Sequence, residues 1–197
     1  MRTLVLIGWL MVPLAVAAYH YGPGQERLKL DDAAAQLSVA DAHAAAGDWT
    51  EAVAAYDDAL RMLPPGHTAQ AQRIRLERAK AQMLAHKLPE AHADLQALAD
   101  ELERDTAADP KLRAETRSAL AGSQYYMTWL MRLEGLSRDV WEPEIEAARQ
   151  NYRLLAEQAE SAGDTAAIAR HEQDLESAIR LARLDLSELQ GLPLPSQ

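Results

Sequence analysis

The chain has no cysteine. Disulfides, thiolate metal sites, a cysteine nucleophile and lipid attachment at an N-terminal cysteine are thereby excluded together. Phenylalanine is absent as well, and glycine and proline number only nine each, gathered at boundaries. No stretch alternates β-branched with aromatic residues, so nothing competes with the helical pattern that alanine and leucine impose. Positive charge is also in short supply. Twenty Lys and Arg face thirty Asp and Glu, a net charge of −10. Such a chain repels nucleic acid and anionic membrane surfaces. The 197 residues suit one domain of roughly 150 residues with a short extra segment.

The extra segment comes first. Arg2 supplies a basic start, Leu4 to Ala18 is an uncharged and mostly apolar run, and Ala15-Val16-Ala17 has the small-x-small form of a signal-peptidase site. The run is shorter than the roughly 20 residues of a membrane span, although Tyr19, His20 and Tyr21 could lengthen it. Residues 1–21 therefore read as a cleavable export signal or an uncleaved N-terminal anchor. Either way the remainder is expected beyond a membrane, periplasmic or attached to the inner membrane by this segment alone. Residues 22–26, with Gly22-Pro23-Gly24, read as a linker. Residues 27–191 are expected to form a helical domain, and 192–197 a tail.

The stretch from Gly47 to Pro64 sets the pattern. Gly47 can take the positive φ that ends one helix, and Asp48 can cap the next. Val53, Tyr56, Leu60 and Leu63 recur at helical spacing with Ala52 and Ala59 beside them, and Pro64 stops the helix. Further helices are expected over about 25–46, 68–86, 88–104, 110–133, 143–160 and 165–190. Trp141 falls in the connection before Pro143. Glu51-Ala52, Tyr56 and Ala59-Leu60 return 39 residues later as Glu90-Ala91, Leu95 and Leu98, and more weakly as Ala148, Tyr152 and Leu155. Helix pairs repeated at this scale indicate a solenoid, so the expected fold is all-α, about three helix-turn-helix pairs and a C-terminal capping helix.

Gly47, Trp49, Ala52, Tyr56, Ala59 and Pro64 together resemble the tetratricopeptide repeat. The match is close over 33–64 and looser to residue 160. The second copy has His86-Lys87-Leu88 where the turn glycine would stand. The resemblance implies a scaffold that binds another protein or a peptide, with the first helix of each pair lining a concave groove. In that register Arg73, Leu76, Lys80, Met83 and Leu84 face the groove. Some family members hold a peptide's terminal carboxylate there with Lys, Arg and Asn. This chain lacks the asparagines and places Asp41 in the first groove.

Chemistry-bearing patterns are few. The six histidines are scattered with no i, i+4 pair, so no metal site is expected. His171, with Glu172 and Asp174 close by, reads as part of a solvated helix face. No glycine-rich loop follows a strand, and Ser123 and Ser137 have no elbow or triad context, so no cofactor and no catalytic residue is assigned. The basic stretch Arg73 to Lys80 could take a partner with an acidic segment. The aromatic stretch 124–133 and the following Trp141 could supply interface anchors, Tyr126 and Trp141 first among them. The expected function is a non-enzymatic scaffold of the cell envelope. The alternatives are an anchored subunit of a larger envelope complex, or a small-ligand binder or enzyme.

Overall fold

A computed structural model of the chain describes residues 23–185 together with Trp9, Met11, Val12, Glu188 and Leu189. Nearly all of the expected signal or anchor segment and the whole of the tail 192–197 lie outside the described residues. Within 23–185 the chain is all-α. Its helices are α1 (Pro23–Ala46), α2 (Trp49–Met62), α3 (Thr68–Leu84), α4 (Leu88–Arg104), α5 (Pro110–Leu133), α6 (Arg138–Ala162) and α7 (Thr165–Arg183). Among the described residues no helix is long and apolar enough to cross a membrane. The one helical domain expected over 27–191 divides into two compact units, with the boundary inside α3 between Ile74 and Arg75.

In the first unit α1 packs on α2. Small residues make this approach close: Ala33 and Ala40 of α1 and Ala52, Ala55 and Ala59 of α2 are all buried. Tyr56, 3% exposed, fills the space they leave, and its hydroxyl donates to Asp41 Oδ1 at 2.8 Å. Asp41 is thereby tied to packing. The residues expected in the linker from Pro23 onward are the first turn of α1, as a proline there permits.

The second unit is built on consecutive helices. Leu76 and Ala79 at the end of α3 share a core with Leu95, Leu98 and Leu102 of α4 and Leu112 and Leu120 of α5. Arg75 and Arg78 reach across to Glu101 at 2.6 Å and Asp94 at 2.8 Å on α4. A second core joins α5, α6 and α7 through Tyr125, Trp141, Ile145, Tyr152, Leu155 and Leu181, with Leu189 beyond α7. The helix-turn-helix arrangement expected from the repeat is present, and α7, the last helix among the described residues, packs against α6.

Four turns use one backbone device. Gly47, Gly135 and Gly163 have φ of 83, 74 and 71°, and His86 has φ 59°. In each, the following amide donates five residues back: Asp48 to His43, Lys87 to Gln82, Leu136 to Met131 and Asp164 to Ala159. These bonds satisfy helix-end carbonyls. Two helix starts also differ from expectation. Asp48 makes no side-chain cap; its carboxylate lies 3.7 Å from His43 Nδ1. Helix α6 begins at Arg138, so Pro143 stands inside it and Trp141 belongs to the helix. Helix α7 ends at Arg183, short of Gln190.

Candidate apolar groove

In the second unit a groove of about 370 Å³ opens between the end of α3, the start of α4 and one face of α5. Met83 comes from α3, His86 from the turn, Leu88 and Pro89 from the first turn of α4, and Tyr126, Trp129 and Leu130 from α5. The last three stand at i, i+3 and i+4 and therefore share one helix face. Tyr126 is fixed edge-on against the fully buried Tyr125, with ring centres 5.6 Å apart and planes at 88°, an arrangement aromatic pairs favour. Trp129 donates its indole N–H to the Leu189 carbonyl at a long 3.4 Å, which ties one wall to the residues beyond α7. Leu130 and, a turn on, Leu133 are exposed. Met83 supplies a flexible, polarisable floor. None of the described residues lining the groove is a carboxylate.

The expected site residues are distributed unequally. Met83 and Tyr126 line this groove. Lys80 lies in the same unit and pairs with Glu77 at 3.0 Å on its own helix. Leu76 is fully buried in the core; expected to face a partner, it faces α4 and α5. Trp141 is 8% exposed and lies beneath two guanidiniums, with Arg132 and Arg138 at 4.8 and 6.0 Å from its ring centre, so it serves packing. Arg73 belongs to the first unit and is partly buried. The sequence reading did not single out Trp129, Leu130, Leu88 or His86. The i, i+3, i+4 spacing inside the aromatic stretch was the available signal for the first two.

The structure also assembles polar groups that the sequence left apart. His92 of α4 sets Nδ1 3.1 Å from the Ser123 hydroxyl of α5 and Nε2 3.6 Å from Glu144 of α6. These are the residue types of a nucleophilic triad. However, Ser123 is fully buried in mid-helix, and its hydroxyl donates to the Leu120 carbonyl at 2.7 Å. The cluster is built as a tie across three helices. His171 and Asp174, read as solvated, are 8% and 3% exposed. His171 Nδ1 is buried without a hydrogen-bond partner, and burial lowers the pKa of the ring. Its side chain borders a cavity of about 500 Å³ with Lys111, Arg113 and Gln158. In the first unit a wider hollow of about 630 Å³ mixes Lys29, Asp32 and Arg61 with Val39 and Met62. Among the described residues no three His, Asp or Glu side chains are grouped to hold a metal ion.

No protein-family model matches the chain, and no curated protein matches it.

Proposed function

We propose that this chain is a non-enzymatic helical-repeat scaffold of the cell envelope that binds another protein, with the groove at Met83, Tyr126 and Trp129 as its docking site. The observation that carries this reading is the groove's make-up: two aromatic rings, a methionine and two leucines, with no Asp, Glu, Lys or Arg among its described lining residues, on a chain whose residues are 25% charged. Aromatic and methionine side chains are the usual anchors of protein interfaces. A helix or extended segment with two or three apolar side chains would fill the groove. Arg75, Arg78 and Lys80 are engaged with Glu101, Asp94 and Glu77, so apolar contact carries more of this reading than attraction of an acidic segment. The basic start and apolar run of residues 1–21 support export, whether cleaved or retained as an anchor. A photo-crosslinking residue at Leu130 in the exported protein should capture an envelope protein. Met83→Asp should abolish that capture with helicity retained; capture unchanged by Met83→Asp would refute the site. N-terminal sequencing of the exported chain distinguishes the free from the anchored form.

A further inference from the structure

The cavity of about 500 Å³ beside His171 shares no lining residue with the apolar groove. The first turns of α5, the last turns of α6 and the first turns of α7 enclose it. Its walls are chiefly small and apolar: Pro110 and Ala114 on α5, and Leu155, Ala159 and Ala162 on α6. Small-molecule sites have this make-up, apolar walls with a few convergent polar groups, and volumes of roughly 300–1,000 Å³. The polar groups here come from all three helices. Lys111 and Arg113 enter from α5, Gln158 from α6 and His171 from α7.

Two of these side chains hold buried nitrogens that nothing satisfies. Arg113 donates Nη2 to the Asp105 carbonyl at 3.0 Å, a neutral acceptor, while its Nε is buried with no hydrogen-bond partner. His171 is 8% exposed, and Nδ1 of its ring is buried in the same unmet state. Burial lowers the pKa of that ring, so near neutral pH it is uncharged and still has one N–H to donate. A buried polar atom left unmet costs stability. Two of them on one cavity, one in a guanidinium, call for an acceptor that carries negative charge. The helix starts are not the attraction. Asp109 and Asp164 already cap α5 and α7, accepting from the Lys111 and Ala167 amides at 3.0 Å each. Asp164 also borders the cavity, which disfavours a second negative charge on the occupant.

We propose that this cavity binds a small organic monocarboxylate, its carboxylate against Arg113 and His171 and its apolar body against Leu155, Ala159 and Ala162. Exposed Lys111 adds only a screened attraction. The site is independent of the docking reading, and loss of partner capture at Met83 would leave it standing.

The full chain is titrated with three fluorinated acids, trifluoromethylbenzoate, fluorophenylacetate and trifluorobutyrate, each beside its uncharged amide. Fluorine NMR follows the probe, and the ring-proton signals of His171 follow the site. At least one acid should bind with a Kd below about 1 mM and shift the His171 signals along the same saturable curve, with its amide about tenfold weaker. Arg113→Gln should weaken that acid about tenfold. Because Arg113 also holds the Asp105 carbonyl, Ala162→Leu is the second variant. It keeps every polar group, fills the cavity from an exposed helix position, and should abolish the His171 response with helicity retained. No saturable binding by any of the three acids would overturn the proposal. So would acid and amide binding alike, or binding untouched by Ala162→Leu. Displacement of the acid by inorganic phosphate at equal concentration would make the site one for a plain anion and overturn the organic carboxylate.

Discussion

Arg132 stacks its guanidinium 4.8 Å from the ring centre of Trp141 and, from the same group, donates to the carbonyl oxygens of Leu181 and Leu184. Leu184 is the residue that caps the end of α7, and Leu181 lies in the last turn. One side chain of α5 thus covers a ring of α6 and satisfies two carbonyls at the end of α7, where a cation is also favoured by the helix dipole. Lysine has neither the planar fork nor the stacking face. Arg132→Lys should lower unfolding free energy by about 2 kcal/mol, measured by urea denaturation.

His86 occupies a left-handed position that glycine fills at the other three turns. An L-residue there costs about 1–2 kcal/mol, and glycine's extra freedom in the unfolded chain offsets about half of that. His86→Gly should therefore raise stability by up to about 1 kcal/mol. Gly47→Ala should lose about 1 kcal/mol. A methyl at Gly47 meets no atom within 4 Å, so that loss is entirely backbone strain. Matched denaturation curves check both signs.

Gly122 differs from the turn glycines. It sits inside α5, and a methyl added there would meet the Met83 side chain and the Tyr152 hydroxyl at 3.9 Å, ordinary contact. Gly122→Ala should gain about 1 kcal/mol from helix propensity. A loss instead, in the same denaturation assay, would mean α5 and α6 approach more closely than this.

Two tyrosines predict opposite responses to losing a hydroxyl. Tyr56 donates to Asp41 at 2.8 Å, so Tyr56→Phe should cost about 1 kcal/mol, and Tyr56→Ala about 3 kcal/mol or more. The Tyr125 hydroxyl is buried with no hydrogen-bond partner, and burial, with Tyr126 beside it, pushes its pKa up to about 12. Tyr125→Phe should be neutral or stabilising, because nothing is lost but an unmet desolvation cost. Thermal melts of the three variants test the ordering.

Burial lowers the His171 pKa below 6.5, the largest influence on it; Asp174 and Asp164 oppose the shift and Arg170 adds to it. At neutral pH both folded and unfolded chains hold this ring uncharged. Below the ordinary value the unfolded chain takes up a proton that the folded chain refuses, so stability falls as pH drops from 6.5 toward the folded value. The loss between about pH 7.5 and about pH 5.5 should be smaller in His171→Leu than in the parent chain, read by denaturation at both. Equal losses would mean that His171 charges as readily when folded.

The fold class was legible because alanine and leucine repeat at helical spacing and because Gly47, Pro64, Asp109-Pro110 and Gly163-Asp164 punctuate the chain. Less of the detail was. Pro143 suggested a helix start, yet a proline near the beginning of a helix removes a single backbone bond, and α6 carries it. On α7 the apolar residues Ile168, Leu175, Ile179 and Ala182 are only partly buried. The covered stripe is His171, Asp174, Ala178 and Leu181. Apolar residues alone mark a face about one position away, because two of the four covered side chains are polar. Of the groove, Met83 and Tyr126 were visible in sequence. Leu76 was not separable from them, since a helix packed on more than one side buries residues that a single-face register assigns to the surface. The glycine-like turn at His86 was hidden by its side chain.

The cores of this molecule join helices that follow one another in the chain: α1 with α2, the end of α3 with α4, then α4 with α5, α5 with α6 and α6 with α7. Partners so near in sequence require little loop closure before contact is rewarded, and chains of this kind fold in microseconds to milliseconds. Melting can then begin at one end and advance helix by helix. A protein so built can shed and regain its last helix without losing the rest, a capacity for partial unfolding under load.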